Sequence, residues 1–355
     1  MKIKKLLLTT ALTATILPTG VTFAEEINDK SDQTSAVEQV LSEVKTLEGQ
    51  EREEVLDKII ETSLNDRRQT THSYITGDID FLSKKVAIEA DVDTKFDLTD
   101  GDNPLFKILT NYTVHLEGED SVESAANVYL TDDYLFIEKD GEVFKVSLED
   151  QADFDEQLDM VKNVNDLTRD AITIQDDGEN YIVSIDPTKL DPEEIVNASF
   201  DEEEMADLYD DMLEKSEIDK DELSITKEDY IRITREKTVK ALDLILGSLE
   251  SNISIYDKKT HQLISSEISF NLNSEKLKEL LDGVPFINAD DLNVQLLIQT
   301  EVVDRNPELT KDGFPNPEEA KELSEEIEQS LDSQQDVGQD SEQDDDVDED
   351  QDDNN

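Results

Sequence analysis

Three histidines, 91 carboxylates and no cysteine set the limits of side-chain chemistry in this 355-residue chain. Without Cys there is no thiolate nucleophile, no disulfide and no thiolate zinc site. His72 falls in a strand-like stretch, His115 on the polar side of another, and His261 in a turn. No spacing brings two of them together, so all three read as surface histidines rather than a general base or a multi-His metal site. The sequence has no Gly-x-Ser-x-Gly, no phosphate-binding Gly-Lys loop and no His-Glu-x-x-His. Carboxylate pairs are too common here for a glycosidase pair to stand out. Asp97 to Asn103 (Asp-Leu-Thr-Asp-Gly-Asp-Asn) is acidic, but it lacks the alternating ligands and the twelfth-position acid of a calcium loop and reads as a solvated turn. The inventory therefore assigns no catalytic residue, no metal ligand and no cofactor, and the expectation is a protein that is not an enzyme.

Charge narrows the partners. Lys and Arg total 32 against the 91 acids, a formal charge of −59. Nucleic acid is excluded as a partner, because binding it requires cations that displace its counterions. Such a surface also repels itself, and salt screens that repulsion, so added salt or Ca²⁺ is expected to stabilise the fold. Ser333 to Asn355 holds eleven acids and no base and reads as a disordered acidic tail. It is a solubilising segment with, at most, weak association of Ca²⁺ or Mg²⁺, since a flexible tail has no preset coordination geometry.

The beginning of the chain carries an address. Met1-Lys2-Ile3-Lys4-Lys5 is basic, Leu6 to Val21 is apolar, and Thr22-Phe23-Ala24 ends the run before Glu25-Glu26. This reads as a signal peptide over 1–24, and the expected location is secreted or held at the cell wall. The run is short for a membrane span and is broken by Pro18 and Gly20. Residues 25–50 read as a polar N-terminal extension with helical spacing from Ala36 to Leu47, ended by Gly49.

The elements that could position anything lie in the middle. Val86, Ile88, Ala90, Val92, Thr94, Phe96 and Leu98 alternate with Glu89, Asp91, Asp93, Lys95 and Asp97. That is period two, a strand with one dry face and one wet face. Phe106 to Leu116, Val122 to Leu130, Ile264 to Leu272 and Leu292 to Val302 repeat it, with shorter strands at Tyr134 to Glu138 and Val143 to Leu148. Long, one-face-wet, consecutive strands predict an antiparallel meander, which must twist and curl. A hairpin is expected over Ile172 to Ile185, turning on Asp176-Asp177-Gly178. Helices are expected at Glu51 to Ser63, around Phe154 to Val164, and from the Asp191-Pro192 start through Phe200 towards Met212. Others are expected from Lys227 to Leu249, from Ser274 to Gly283, and over Pro317 to Ser330 with Asn316 as N-cap. The fold class is α+β: a long antiparallel curved sheet, a half-barrel meander, covered by helices.

A resemblance rests on this order. The helix near Glu51–Ser63, the strand Thr70-Thr71-His72-Ser73-Tyr74-Ile75-Thr76-Gly77, the meander, the helical insert and the return Ile253-Ser254-Ile255-Tyr256-Asp257-Lys258-Lys259-Thr260 come in sequence. Together with Asp304-Arg305-Asn306 at the end of the last strand, the pattern over 51–317 resembles the LolA/LolB-like superfamily. That superfamily includes the mycobacterial LppX and LprG lipoproteins and uncharacterised envelope lipoproteins of Firmicutes. The resemblance implies a Gram-positive envelope protein, a LolA-like domain over 51–317, a short helix or linker over 318–332, and an apolar cavity for a lipid. The chain departs from those relatives in having no lipobox Cys, so a lipid tether is not implied.

Two function classes follow. In the first, an apolar ligand such as a lipid sits against the dry face, and the candidate lining residues are Val86, Ile88, Val92, Phe96, Ile108, Tyr112, Val128, Ile268, Phe270, Leu296 and Ile298. Small residues at Ala90, Thr94, Ser124, Ala126 and Ser266 leave room for a hollow. In the second, the same face is plain core, and the acidic surface engages divalent cations or protein partners.

Overall fold

Alternation of apolar and polar residues dictates one sheet with two unlike faces, and the computed structural model has it. It describes residues 44–323 except 82–83, 101–102, 140, 148–165, 216–224 and 273–292. The elements begin with β1 (Lys45–Thr46), α1 (Gly49–Asn65), β2 (Arg68–Phe81), β3 (Lys84–Asp97), β4 (Leu105–Leu116) and β5 (Val122–Leu130). They continue with β6 (Tyr134–Lys139), β7 (Glu142–Ser147), β8 (Ile172–Asp176), β9 (Asn180–Ile185), α2 (Pro192–Ser199), α3 (Glu202–Lys215) and α4 (Lys227–Ser248). The last are β10 (Leu249–Asp257), β11 (Leu263–Leu272), β12 (Asn293–Asp304) and β13 (Lys321–Glu322). The described strands form a curved, unclosed 13-stranded sheet in the order β1-β8-β9-β10-β11-β12-β2-β3-β4-β5-β6-β7-β13. Every pairing is antiparallel except β13 with β7. The fold is α+β, as alternation predicts.

Directly paired residues of an antiparallel sheet project from the same face. From the register, Val92 pairs with Ser73 and Thr110, Ile298 with Ile75 and Ile268, and Leu296 with Gly77 and Phe270. The dry faces of the separate strands thus join into one. The other face carries His72, Asp91, Asp93 and Glu267 and is polar.

Helix α1 lies on one end of the dry face. Its Val55, Leu56 and Ile59 are buried against Ile172, Ile174, Tyr181, Val183 and Tyr256, with Leu47 in the same cluster. Leu64, near its C-terminus, reaches a second cluster made by Phe96, Leu98, Leu130 and Leu135. Arg52 fastens the helix, donating to the Ile172 carbonyl at 3.0 and 2.8 Å. Glu53 accepts from Arg169 at 3.0 Å.

Three expectations need correction. Val44 to Leu47 is not the end of a helix: Lys45 and Thr46 pair with Asp176 and Gln175, and Gly49, at φ +54°, opens α1. The free edge of β8 offers hydrogen bonds that outweigh weak helical spacing. The helix from Asp191 is two helices, since Phe200 is extended at φ −87°, ψ 112°, and Asp201 accepts from the Glu203 N–H to start α3. Pro317 to Ser330 does not begin as a helix. Asn316 does cap a turn, accepting from the Glu318 N–H at 3.1 Å, but Lys321 and Glu322 then pair in parallel with Phe144 and Lys145. Ion pairs Lys321–Glu142 and Lys145–Glu322 hold that strand to the edge of β7. The leader over 1–24, the Phe154–Val164 and Ser274–Gly283 helices and the acidic tail lie outside the described residues.

Candidate functional site

The dry face is covered unevenly, and that unevenness defines the site. Of the eleven candidate residues, Phe96 is fully buried, stacked on Phe106 with ring centroids 6.3 Å apart. Val86, Ile88, Val92, Ile108, Tyr112, Val128, Ile268, Phe270, Leu296 and Ile298 are half-buried. All eleven share one face, in rows such as Ile268–Ile298–Ile75–Ala90–Tyr112 across five adjacent strands. Helix α1 covers the Phe96 end, and the other ten residues lie beyond the tight clusters or at their margins.

Helix α4 meets the sheet at β11 and is loosely packed. It starts on Thr226, whose hydroxyl accepts from the Asp229 N–H, and packs against α2, α3 and β11. Over its 22 residues only Ser248 is buried, while Ile231, Ile233, Leu242, Leu244 and Leu246 are half-buried and Ile245 is exposed. An amphipathic helix pressed onto a sheet at interior density buries its apolar stripe. Here the apolar stripe of α4 stays half-buried, and so do ten of the eleven candidate residues on the sheet.

A groove of about 630 Å³ opens among α2, α3 and α4. Ile231 and Val239 line it together with four glutamates and the cations Arg232, Arg235 and Lys240. It is of mixed charge, and none of the eleven dry-face residues lines it.

Polar residues interrupt the dry face along one row. Ser254 on β10 pairs with Ser266 on β11, Ser266 with Thr300 on β12, and Thr300 with Ser73 on β2. The Ser73 and Thr300 hydroxyls are 2.7 Å apart. Ser254 is 0% exposed and its Oγ has no hydrogen-bond partner, and neither has Asn252 Oδ1 in the neighbouring row. The Tyr256 phenol, on the same face of β10, feels the Ser254 hydroxyl without reaching hydrogen-bond geometry, and burial pushes the phenol well above its ordinary pKa. Thr70 Oγ1 and Ser265 Oγ on the opposite face are also buried and unpaired. Of this row, sequence reasoning singled out only Ser266 as a small central residue. Ser73 escaped it because β2 alternates weakly, its dry face reading Gln69, Thr71, Ser73, Ile75.

The histidines stay apart. His72 Nδ1 lies 3.0 Å from Asp93 on the polar face, His115 Nδ1 lies 2.7 Å from Ser121 Oγ, and His261, at φ +59°, packs on the Tyr181 ring. Burial holds the His261 imidazole below its ordinary pKa. Among the described residues no group of three His, Asp or Glu side chains is placed to hold a metal. In the Asp97 turn, burial alone would raise the carboxyl. The Thr99 hydroxyl and N–H and the Arg68 guanidinium outweigh it and hold Asp97 below the usual carboxylate range.

Fold and site together define an α+β protein with a partly covered apolar sheet face and no assembled catalytic constellation among the described residues. No protein-family model matches the sequence, and no curated protein matches it. Among solved structures, the crystal structure of LprF from Mycobacterium bovis aligns over 76% of this chain and 98% of its own, at 10% identity and a TM-score of 0.24. At that score the overlap carries no argument about function, which has to come from the site itself. No described helix is long and apolar enough to cross a membrane.

Proposed function

We propose that this is an exported, non-enzymatic envelope protein that holds an apolar ligand, a lipid acyl chain, between the dry face of the sheet and α4. The supporting observation is that ten of the eleven dry-face residues are only half-buried while a 22-residue helix beside them buries only Ser248. Apolar surface left half-wet on two neighbouring elements is surface that a third apolar body can cover, at about 25 cal/mol per Å² removed from water. Ligand sites of this class are concave and mostly apolar with few polar groups, which matches Ile268, Phe270, Leu296, Ile298 and Tyr112 around the hydroxyl row. The leader-like segment 1–24 supports export.

The test is native mass spectrometry of the protein secreted from a Gram-positive host. The expected result is an adduct that dissociates and fragments as a lipid. Bare protein, or protein carrying only Ca²⁺, refutes the reading and leaves an acidic surface module in its place.

A further inference from the structure

Four hydroxyls interrupt the middle of the dry face, Ser254 and Ser266 fully buried and Ser73 and Thr300 half-buried. Ser254, Ser266, Thr300 and Ser73 occupy directly paired positions on four adjacent strands. Their neighbours in the next row are Asn252, Ile268, Ile298 and Ile75. Ala or Val at these positions would complete an apolar face without a desolvation cost, whereas a buried hydroxyl is unfavourable unless it is hydrogen-bonded. Ser73 and Thr300 share one bond at 2.7 Å. Two hydroxyls carry two protons, and one bond uses one of them, so one O–H is left to donate. Ser254 Oγ, at the covered end of the row, also lacks a partner. The open half of the row, at Ser73 and Thr300, is half-buried and within reach of a molecule lying on the face.

We propose that this row is a polar subsite that receives the acyl carbonyl of a neutral ester- or amide-linked lipid, with the Ser73–Thr300 pair as its donor. The proposal rests on the apolar-ligand reading above and names the ligand's chemistry. A spare donor in an apolar surround selects an acceptor. The formal charge of −59 opposes a carboxylate or phosphate in that place and leaves a neutral carbonyl. The isoleucines of the adjacent row flank the subsite on one side and would carry the chain next to that carbonyl.

The test compares 1-monolauroylglycerol with 1-O-dodecylglycerol, which differ in the carbonyl, as competitors for Nile red on the full chain. The wild type is expected to bind the ester about five- to tenfold more tightly, the scale of one hydrogen bond in a partly dry site. In the variant Ser73→Ala, Thr300→Val the preference disappears while affinity for the ether is unchanged. Ser73→Thr, which keeps a hydroxyl, retains the preference and controls for loss of folding. Equal affinity of the wild type for the two lipids, or a preference that survives the double substitution, overturns the inference alone. Displacement by neither lipid overturns it together with the apolar-ligand reading.

Discussion

Truncating one residue at the covered end of the dry face and one in its open part separates a packed core from a ligand surface. Phe96 is 4% exposed and lies among Leu98, Leu130 and Leu135, with Leu64, Phe106, Val128 and Val146 around them. Phe96→Ala leaves a cavity that the surrounding strands cannot close, and such changes cost about 3–5 kcal/mol. With a urea m-value of about 3 kcal/mol/M, reasonable for a chain above the small-domain range, the midpoint falls by about 1–1.7 M. Ile298 sits on the same face but is half-buried. Ile298→Ala therefore forfeits about half of the usual 2–5 kcal/mol, a midpoint shift of about 0.3–0.8 M. The functional order is reversed. Ile298→Ala weakens 1-monolauroylglycerol binding by about fivefold, the scale of one or two lost methylene contacts, whereas Phe96→Ala refolded at low temperature loses little. Urea unfolding followed by circular dichroism, and Nile red displacement on the same preparations, read both quantities. Equal destabilisation by the two substitutions, with no change in displacement, would show the open end of the face to be core and would refute the reasoning.

Three further outcomes are expected. Asp191 accepts from the Glu193 and Glu194 N–H groups at 2.9 and 3.3 Å, so Asp191→Ala should cost about 1 kcal/mol, a drop in Tm of about 2–4 °C by calorimetry. An unchanged Tm would mean that α2 does not contribute to the cooperative unit. Burial and the Glu138 carboxylate, 2.9 Å away, push the Tyr129 phenol up to about 12. Its folded value lies above its unfolded value near 10, so its contribution is complete below pH 10 and is lost as pH rises through about 12. Tyr129→Phe should flatten the fall in the urea midpoint over that window, and a slope identical to wild type would refute the assignment. Raising NaCl from about 0.05 to 1 M shortens the Debye length from over 10 to about 3 Å. Because the sequence charge is −59, the Tm should rise, and a flat Tm would show that self-repulsion is not limiting.

The sheet was legible because its signal is local. Val86 to Leu98 alternates strictly, and β3 spans Lys84–Asp97. The Asp176-Asp177-Gly178 turn was legible for the same reason, with Gly178 at φ +100° supplying what the turn demands. What failed depended on partners distant in sequence. Thr46 becomes strand because Gln175 is beside it, and Lys321 because Phe144 is. Phe200 interrupts a helix that looked continuous, because Asp201 offers a second N-cap. For the candidate site, alternation placed the eleven candidate residues on dry strand faces, and the register joins those faces into one. The hydroxyl row needed that register: Ser254, Ser266, Thr300 and Ser73 are scattered over more than two hundred residues and meet only through pairings that no local pattern specifies.

The two shortest strands sit at the two extremes of the sheet: β1 borders β8 and β13 borders β7. Twelve steps of about 4.8 Å put them roughly 58 Å apart along the curved surface. Tension applied to the flanking segments would act across the strands, along the ladder hydrogen bonds rather than in shear against them. Such loading opens bonds one pair after another, and the first to open would be the two-residue pairings Lys45–Asp176 with Thr46–Gln175 and Lys321–Phe144 with Glu322–Lys145. The domain would therefore yield mechanically from its margins inward at low force. Extension would detach β1 and β13 while the Phe96 and Leu56 clusters remained closed.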